Sequence, residues 1–408
     1  MKTKLRTIVL TVLVLLASVF VRHAASADKR ENAASEIKIG NTAPYSGLVS
    51  ALGNIVRTAD AYFAKINEEG GINGHRINFI SYDDGYSPNR TFEMTRRLVE
   101  QDHVLLDFGT VGTPTSSAVW KYLNERRVPQ LFVLSGASKW GDPKGHPWTM
   151  GWVPTYTSEA MLYADYVLKH WPHAKIGILC QNDDYGKDYV RGFKRGLGAA
   201  AREQLVMEQT YEATDSTIDS QIINLKNSGA SVLLDASTPR FASQAIKKAY
   251  ESGWRPVHLL AQPAASISAV LKPAGLEASK GLISALYLKD ASDPRWKDDP
   301  GAREFIAFMH RYFPGGDPTD LLNVQGYTVA QTLVWVLRQL GNDLSRENIM
   351  KVAANIPSLQ LPMLLPGITV RTTPTDFYPI EQLELAQFDG MYWVPLGRVY
   401  DLSSANSR

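Results

Sequence analysis

The sequence predicts an α/β fold of two lobes, each with a central parallel sheet. Short β-rich segments alternate with longer amphipathic segments along most of the chain, a pattern typical of parallel strands joined by crossover helices. The 408 residues are 44% hydrophobic and 21% charged, and a chain of this length exceeds what one compact core usually holds. The pattern also stops and restarts near Lys175. These three observations favour two domains.

The amino terminus predicts a secretory signal peptide over residues 1–27. Lys2, Lys4 and Arg6 precede an apolar run at 8–20, and residues 25–27 (Ala-Ser-Ala) provide a small-residue cleavage site. The run is short for a membrane span, and no later stretch approaches the roughly 18–20 apolar residues that a span needs. We therefore expect a soluble, exported protein that is cleaved after Ala27.

In chain order, the pattern begins with a strand at 36–40, a helix at 55–69 and a strand at 77–81. Further apolar, β-rich runs predict strands at 104–108, 130–134, 175–180, 231–235, 257–261 and 282–286. Amphipathic periodicity predicts helices at 90–101, 158–169, 186–202, 216–228, 239–252, 300–312 and 325–340. Alternating aromatic and polar residues through 388–393 predict a late hairpin.

The chain is predicted to cross between lobes three times, because its pattern changes near 148–156, 278–284 and 357–366. These crossings define lobe 1 as residues 36–153 plus 281–362, and lobe 2 as residues 154–280 plus 363–400. Two lobes joined by several short connections can rotate as rigid bodies about a hinge.

Charge and cysteine content narrow the function classes. The formal net charge of +2 includes four basic residues of the predicted signal and no acidic ones, so the mature chain carries −2. Nucleic-acid binding through a basic surface therefore has no support. The single cysteine, Cys180, ends an apolar run and is expected to be a buried thiol and not half of a disulfide.

A segment rich in glycine and hydroxyl groups follows the strand predicted at 104–108. Residues 109–117 read Gly-Thr-Val-Gly-Thr-Pro-Thr-Ser-Ser and lead into a predicted helix at 118–125. The first N–H groups of a helix lack intrahelical partners, and with nearby hydroxyls they can hold a carboxylate or a phosphate at the positive end of the helix dipole. No catalytic base lies nearby, so the segment predicts binding without catalysis. Ordinary helix capping is the alternative.

Several motifs are found together along the mature chain: Ile39–Gly47, Ile66–Gly74, Asp83-Asp84, Asn182–Gly186 and Gly326-Tyr327. In this order they resemble the leucine/isoleucine/valine-binding family of periplasmic solute-binding proteins for ABC importers. The resemblance implies a type I periplasmic binding protein, with two Rossmann-like lobes and a three-strand hinge, that closes on a small solute. We expect a monomer without cofactor, metal or catalytic residues, whose partners are the membrane permease subunits.

The resemblance also implies which segments hold the solute. Its carboxylate is expected at the hydroxyl-rich helix start and the loop after the next strand, which gives the candidates Thr110, Gly112, Thr113, Thr115, Ser135, Ala137 and Ser138. Around the hinge and the second lobe the candidates are Trp152, Tyr156, Tyr185, Ser237, Thr238, Gln262 and Tyr287. Turn formation is the alternative for Ser135 and Ser138. Hinge packing is the alternative for Trp152, Tyr156 and Tyr185.

One departure from the family's pattern bears on the ligand. Binders of α-amino acids in this family generally place an acid in the loop after the strand that corresponds to 257–260, where it pairs with the ammonium. This chain has Ala-Gln-Pro-Ala-Ala at 261–265. An ammonium buried without a counter-charge would lose several kcal/mol, so an amino acid is disfavoured.

The remaining rings and neutral groups suit an apolar or aromatic body with one carboxylate. Segments 284–290 and 293–296 also resemble the family branch associated with aromatic acids from plant material. The sequence therefore predicts the substrate-binding protein of an ABC importer for a benzoate or phenylpropenoid acid. A branched-chain amino acid or amide is the alternative. An exported hydrolase is disfavoured because the cleft segments carry no histidine.

Overall fold

A computed structural model describes residues 36–403, which form two lobes with one sheet each, and the predicted signal peptide at 1–27 lies outside this range. The strands of the first sheet are β1 (Glu36–Ala43), β2 (Arg76–Asp83), β3 (Leu106–Phe108), β4 (Gln130–Val133) and β5 (Thr149–Gly151). They lie in the order β2-β1-β3-β4-β5, and their pairs are parallel.

The second sheet repeats this order and adds a hairpin. Its strands are β6 (Ile176–Gln181), β7 (Leu205–Tyr211), β8 (Val232–Ala236), β9 (Val257–Leu260), β10 (Ile283–Leu286), β11 (Gln382–Phe388) and β12 (Trp393–Asp401). The order is β12-β11-β10-β9-β8-β6-β7, so the five parallel strands β7-β6-β8-β9-β10 correspond to the first sheet. Strands β11 and β12 pair antiparallel, which confirms the predicted late hairpin.

The longer helices within 36–403 cover both sheets. They are α1 (Gly53–Glu68), α2 (Pro88–Glu100), α3 (Thr113–Glu125), α4 (Tyr156–His170), α5 (Asp184–Leu197), α6 (Asp219–Asn227), α7 (Pro239–Glu251), α8 (Pro300–Tyr312), α9 (Leu321–Gln339) and α10 (Arg346–Ala353). Helices α8 and α9 pack on α1 and therefore belong to the first lobe. None of the helices in the described part of the chain has the length and apolarity of a membrane span.

Three helices that begin between the lobes start at side-chain caps. Thr155 accepts a hydrogen bond from the Ser158 amide at the start of α4, and Asp183 accepts from two amides at the start of α5. Asp320 accepts from the Leu322 amide at the start of α9. Each cap satisfies amides that the first helical turn leaves unpaired, and it fixes where the next side chains lie.

The chain passes between the lobes in three places, but one predicted boundary is wrong. The first connection follows β5, and the third lies between α10 and β11, in a segment that includes the predicted 357–366. Lobe 1 was expected to resume at 281, whereas β10 pairs with β9 in the second sheet, with Ile283 opposite Leu259. Because β10 completes the five-strand order of the second lobe, the second crossing lies after residue 286.

Candidate functional site

A cavity of about 520 Å³, counting the part open to solvent, lies between the lobes. It is formed where the carboxyl ends of the strands of both sheets face each other, which is where open α/β sheets bind ligands. Segments after β2, β3 and β4 contribute from one side, and segments after β6, β8 and β9 from the other. The lining residues are Leu52, Ile55, Tyr86, Val111, Gly112, Thr113, Leu134, Val153, Tyr156, Tyr185, Thr238, Pro239, Gln262, Pro263, Leu322 and Gln325.

The lining is mainly apolar and has no formal charge. Among the described residues, none of those lining the cavity is Asp, Glu, Lys, Arg or His. Its polar side chains are two threonines, two glutamines and three tyrosines, and most of the others are aliphatic. A bound molecule would therefore meet apolar walls with a few neutral hydrogen-bonding groups, as is usual for small-molecule sites.

The start of α3 supplies the amides that the sequence predicted. Gly112 is the residue before the helix, with φ +98° and ψ 153°, a conformation that is essentially restricted to glycine. A Cβ at this position would lie 2.4 Å from Cε2 of Tyr86. Pro114 has no N–H, and no backbone acceptor within residues 36–403 pairs with the amides of Thr113 or Thr115. These two amides are free donors at the positive end of the helix dipole.

Six of the fourteen candidate residues line the cavity: Gly112, Thr113, Tyr156, Tyr185, Thr238 and Gln262. Eight do not, and hydroxyl groups among them are used elsewhere. The Thr110 hydroxyl donates to Asp107 Oδ2 at 2.5 Å, and the Thr115 hydroxyl donates to the Val111 carbonyl. The amide of Ser138 donates to Asp188 Oδ2 at 2.8 Å. The hydroxyls of Thr110 and Thr115 and the amide of Ser138 are therefore engaged within the protein, and the ligand contacts expected of these three residues stay predictions.

Three other candidates, Ser135, Ala137 and Ser237, lie outside the lining and form hydrogen bonds behind it. Ser135 Oγ lies 2.7 Å from Thr113 Oγ1, and the Ala137 amide donates to Ser135 Oγ at 3.3 Å. The Ser237 carbonyl accepts from the Tyr185 hydroxyl at 3.2 Å.

The two remaining candidates, Trp152 and Tyr287, pack in the fully buried region between the lobes. Their ring centroids are 5.9 Å apart, and Trp152 Nε1 donates to Thr332 Oγ1 at 3.0 Å. Both residues therefore pack at the hinge, which for Trp152 is the alternative that the sequence left open.

Sequence reasoning missed several lining residues, of which Tyr86 is the most informative. It follows β2 in the left-handed region, with φ 63°, and it lines the cavity beside Gly112. Burial raises the pKa of Tyr86 well above its ordinary value. Its place after a strand's carboxyl end was the signal that could have identified it. For the aliphatic residues Leu52, Ile55 and Leu322, the sequence indicated only that they are buried in the core, and nothing marked them as cavity-lining.

A buried carboxylate that the sequence analysis overlooked lies behind the lining. Glu159 Oε1 accepts from the Tyr163 hydroxyl at 2.9 Å and from the Gln262 amide at 2.9 Å. Its Oε2 accepts from the Tyr189 hydroxyl at 2.8 Å. Burial raises the pKa of Glu159 to about 7, although these hydrogen bonds oppose the shift. Both oxygens are engaged, and Glu159 thereby fixes the backbone of Gln262.

Charged groups join the lobes at the rim of the cavity. Lys139, after β4, forms an ion pair with Asp184 at the start of α5, with Nζ and Oδ2 2.8 Å apart. Asp188, which accepts from Ser138, also pairs with Arg191 on the same helix. These contacts hold the two lobes in the arrangement described here.

Comparison with known proteins identifies the family. Residues 36–391 match a family described as periplasmic binding protein. The chain belongs to the periplasmic binding protein family. Leu/Ile/Val-binding protein homolog 8 of Brucella abortus (strain 2308) is 23% identical over 372 residues, which are 88% of this chain and 89% of the relative. The family is thus of the Leu/Ile/Val-binding type, and its members are binding proteins and not enzymes.

Solved structures share the fold of this periplasmic binding protein. A branched chain amino acid ABC transporter from Thermus thermophilus with bound valine has a TM-score of 0.81 at 17% identity, covering 92% of this chain and 99% of that one. A solute binding protein of an ABC transporter from R. palustris, in complex with benzoate, has a TM-score of 0.74 at 21% identity, covering 89% and 96%. Both likenesses show the two-lobed type I fold.

Asp107, below the start of α3, gives this periplasmic binding protein a predicted pH dependence. It is 1% exposed, its Oδ1 has no hydrogen-bond partner within the described residues, and burial raises its pKa to about 7. The folded protein therefore holds this proton more tightly than the unfolded chain, and stability is lost as pH rises from about 4 through about 7.

Replacing Asp107 with asparagine removes this titration and keeps an oxygen for Thr110. Between about pH 5 and pH 8, the unaltered protein should lose unfolding free energy, as measured by urea denaturation. We expect Asp107→Asn to lose about 1–3 kcal/mol less over the same pH range. Glu93→Gln, at an exposed position, is the control and should leave the slope unchanged. Parallel pH curves for Asp107→Asn and the unaltered protein would contradict the assignment.

Proposed function

We propose that this protein captures a small monocarboxylate with an apolar or aromatic body, such as a benzoate or phenylpropenoid acid, for the permease of an ABC importer. The observation that carries the proposal is an uncharged, mainly apolar cavity with the start of α3 at one end. A carboxylate is the charged group that such donors accommodate without a cationic side chain.

The cavity supports a carboxylate better than an amino acid. The amides of Thr113 and Thr115 and the Thr113 hydroxyl replace hydration of an anion, and the helix dipole adds to the attraction. An ammonium group has no carboxylate to pair with in the lining. Glu159 lies behind it with both oxygens occupied by protein donors, and exposing it to a ligand would require breaking these bonds.

The apolar walls support an apolar or aromatic organic body. The rings of Tyr156 and Tyr185 are 4.9 Å apart in an edge-to-face arrangement, and aliphatic residues of α1 and α9 also line the cavity. Aromatic ligands stack favourably at such edges and faces. The benzoate complex of the R. palustris protein agrees with this preference, and the valine complex of the T. thermophilus protein represents the alternative.

A thermal-shift screen tests the proposal. A ligand that binds only the folded protein stabilises it by about 2.7 kcal/mol when its concentration is about 100 times the Kd. We expect a rise in melting temperature with at least one of benzoate, 4-hydroxybenzoate, 4-coumarate and hexanoate, and none with leucine, valine or isoleucine. A rise with the amino acids and none with the acids would favour the branched-chain alternative.

A further inference from the structure

Two glutamine side chains that line the cavity have no hydrogen-bond partner in the part of the chain that the structure describes. Gln262 is 7% exposed and Gln325 is 8% exposed, yet neither side-chain amide bonds to a protein group between residues 36 and 403. Buried polar groups are nearly always paired, and a buried amide without a partner is costly. The two amides therefore need a partner that occupies the cavity.

Both side chains face the cavity. Gln325 lies three residues after Leu322 on α9, which places the two on the same face of the helix, and both line the cavity. The backbone of Gln262 is engaged within the protein, since its amide donates to Glu159 Oε1 at 2.9 Å and its carbonyl accepts from the Ala265 amide at 2.9 Å. The side chain of Gln262 is therefore the part that can meet a ligand.

The two glutamines belong to different lobes. Gln262 follows β9 of the second sheet, whereas α9, which carries Gln325, packs on α1 in the first lobe. The segments that carry them meet where Ser266 Oγ donates to Asp320 Oδ1 at 2.8 Å. A ligand group that binds both amides would thus contact both lobes at once, and its binding would favour the arrangement of the lobes described here.

We infer that the ligand carries, besides its carboxylate, a hydroxyl group that Gln262 and Gln325 bind. The inference rests on the proposed function and narrows its substrate class to hydroxy-substituted monocarboxylates. Each amide offers N–H donors and an oxygen acceptor, and a hydroxyl can donate to one amide while it accepts from the other. A carbonyl would only accept, and a second charged group would find no opposite charge in the lining that the structure describes.

Calorimetric titration with matched acids tests the inference. The probes are benzoate with 3- and 4-hydroxybenzoate, cinnamate with 4-coumarate, and hexanoate with 6-hydroxyhexanoate, so that each hydroxy acid differs from its parent by one hydroxyl. We expect at least one hydroxy acid to bind the unaltered protein more tightly than its parent by about tenfold or more. The reason is that a site built for a hydroxyl leaves its own polar groups unpaired when the hydroxyl is missing.

The variants Gln262→Met and Gln325→Met test which residues are responsible. Methionine keeps an unbranched side chain of similar length and removes the amide group. Each change should lower the affinity for the preferred hydroxy acid by about tenfold and alter that for the parent acid by less than about threefold. A merely structural role would lower both affinities together. Gln101→Met, at an exposed position, is the matched control and should leave both affinities unchanged.

The outcomes separate the two proposals. If the unaltered protein binds these acids but no hydroxy acid exceeds its parent by more than about threefold, the inferred hydroxyl contact is wrong and the proposed function stands. The same conclusion follows if both glutamine variants, folded by their melting curves, keep the full preference. If the unaltered protein binds none of these acids and none of the acids of the thermal-shift screen, the proposed function fails and the inference with it.

Discussion

Replacing Gly112 with alanine is expected to destabilise the protein by about 2–4 kcal/mol, through backbone strain and displacement of Tyr86. The residue has φ +98° and ψ 153°, and the added methyl group would lie 2.4 Å from Cε2 of Tyr86 and 3.0 Å from Thr115 Oγ1. Either the helix start or the tyrosine must move. Since the start of α3 and Tyr86 both line the cavity, the variant should also lose its melting-temperature response to carboxylates.

Gly253→Ala is the matched control for this change. Gly253 also has a positive φ, +77°, but nothing lies within 4 Å of its Cβ position. We expect this control to lose only about 1 kcal/mol and to keep the full ligand response. Urea denaturation measures the first effect, and thermal shift the second. A Gly112→Ala protein that is as stable and responsive as Gly253→Ala would show that the start of α3 is not the binding site.

The alternation of elements could be predicted from the sequence because most strands are buried and most helices are amphipathic. The helix predicted at 300–312 matches α8, and β9 and β10 were predicted within a residue at each end. Strand β7 was missed because it pairs only with β6 at the sheet edge and has few buried side chains. Strand β5 has three residues, too few for a periodic signal.

The site was predictable at the level of segments and less so at the level of side chains. Strand ends and helix starts located Thr113, Tyr185 and Gln262, which line the cavity. The sequence does not show which partner a hydroxyl binds, and that of Thr115 donates to the carbonyl of Val111, just before its own helix. Nor can it show that Glu159, one turn into α4, lies under the Gln262 loop from another part of the chain.

The central claim is that the cavity accepts an anion and offers no counter-charge for an ammonium group. Leucine and 4-methylpentanoate share a carboxylate and a carbon skeleton, and differ in the α-ammonium. The lining carries no acidic side chain, so the ammonium of leucine would be buried unpaired or would force Glu159 away from its three donors. Either event costs several kcal/mol.

Calorimetric titration of the unaltered protein with these two compounds tests the claim most directly. We predict that 4-methylpentanoate binds more tightly than leucine by about 100-fold or more, which corresponds to about 2.7 kcal/mol. Tighter binding of leucine would contradict the account and would show that a carboxylate of the protein, with Glu159 the first to examine, pairs with the ammonium group.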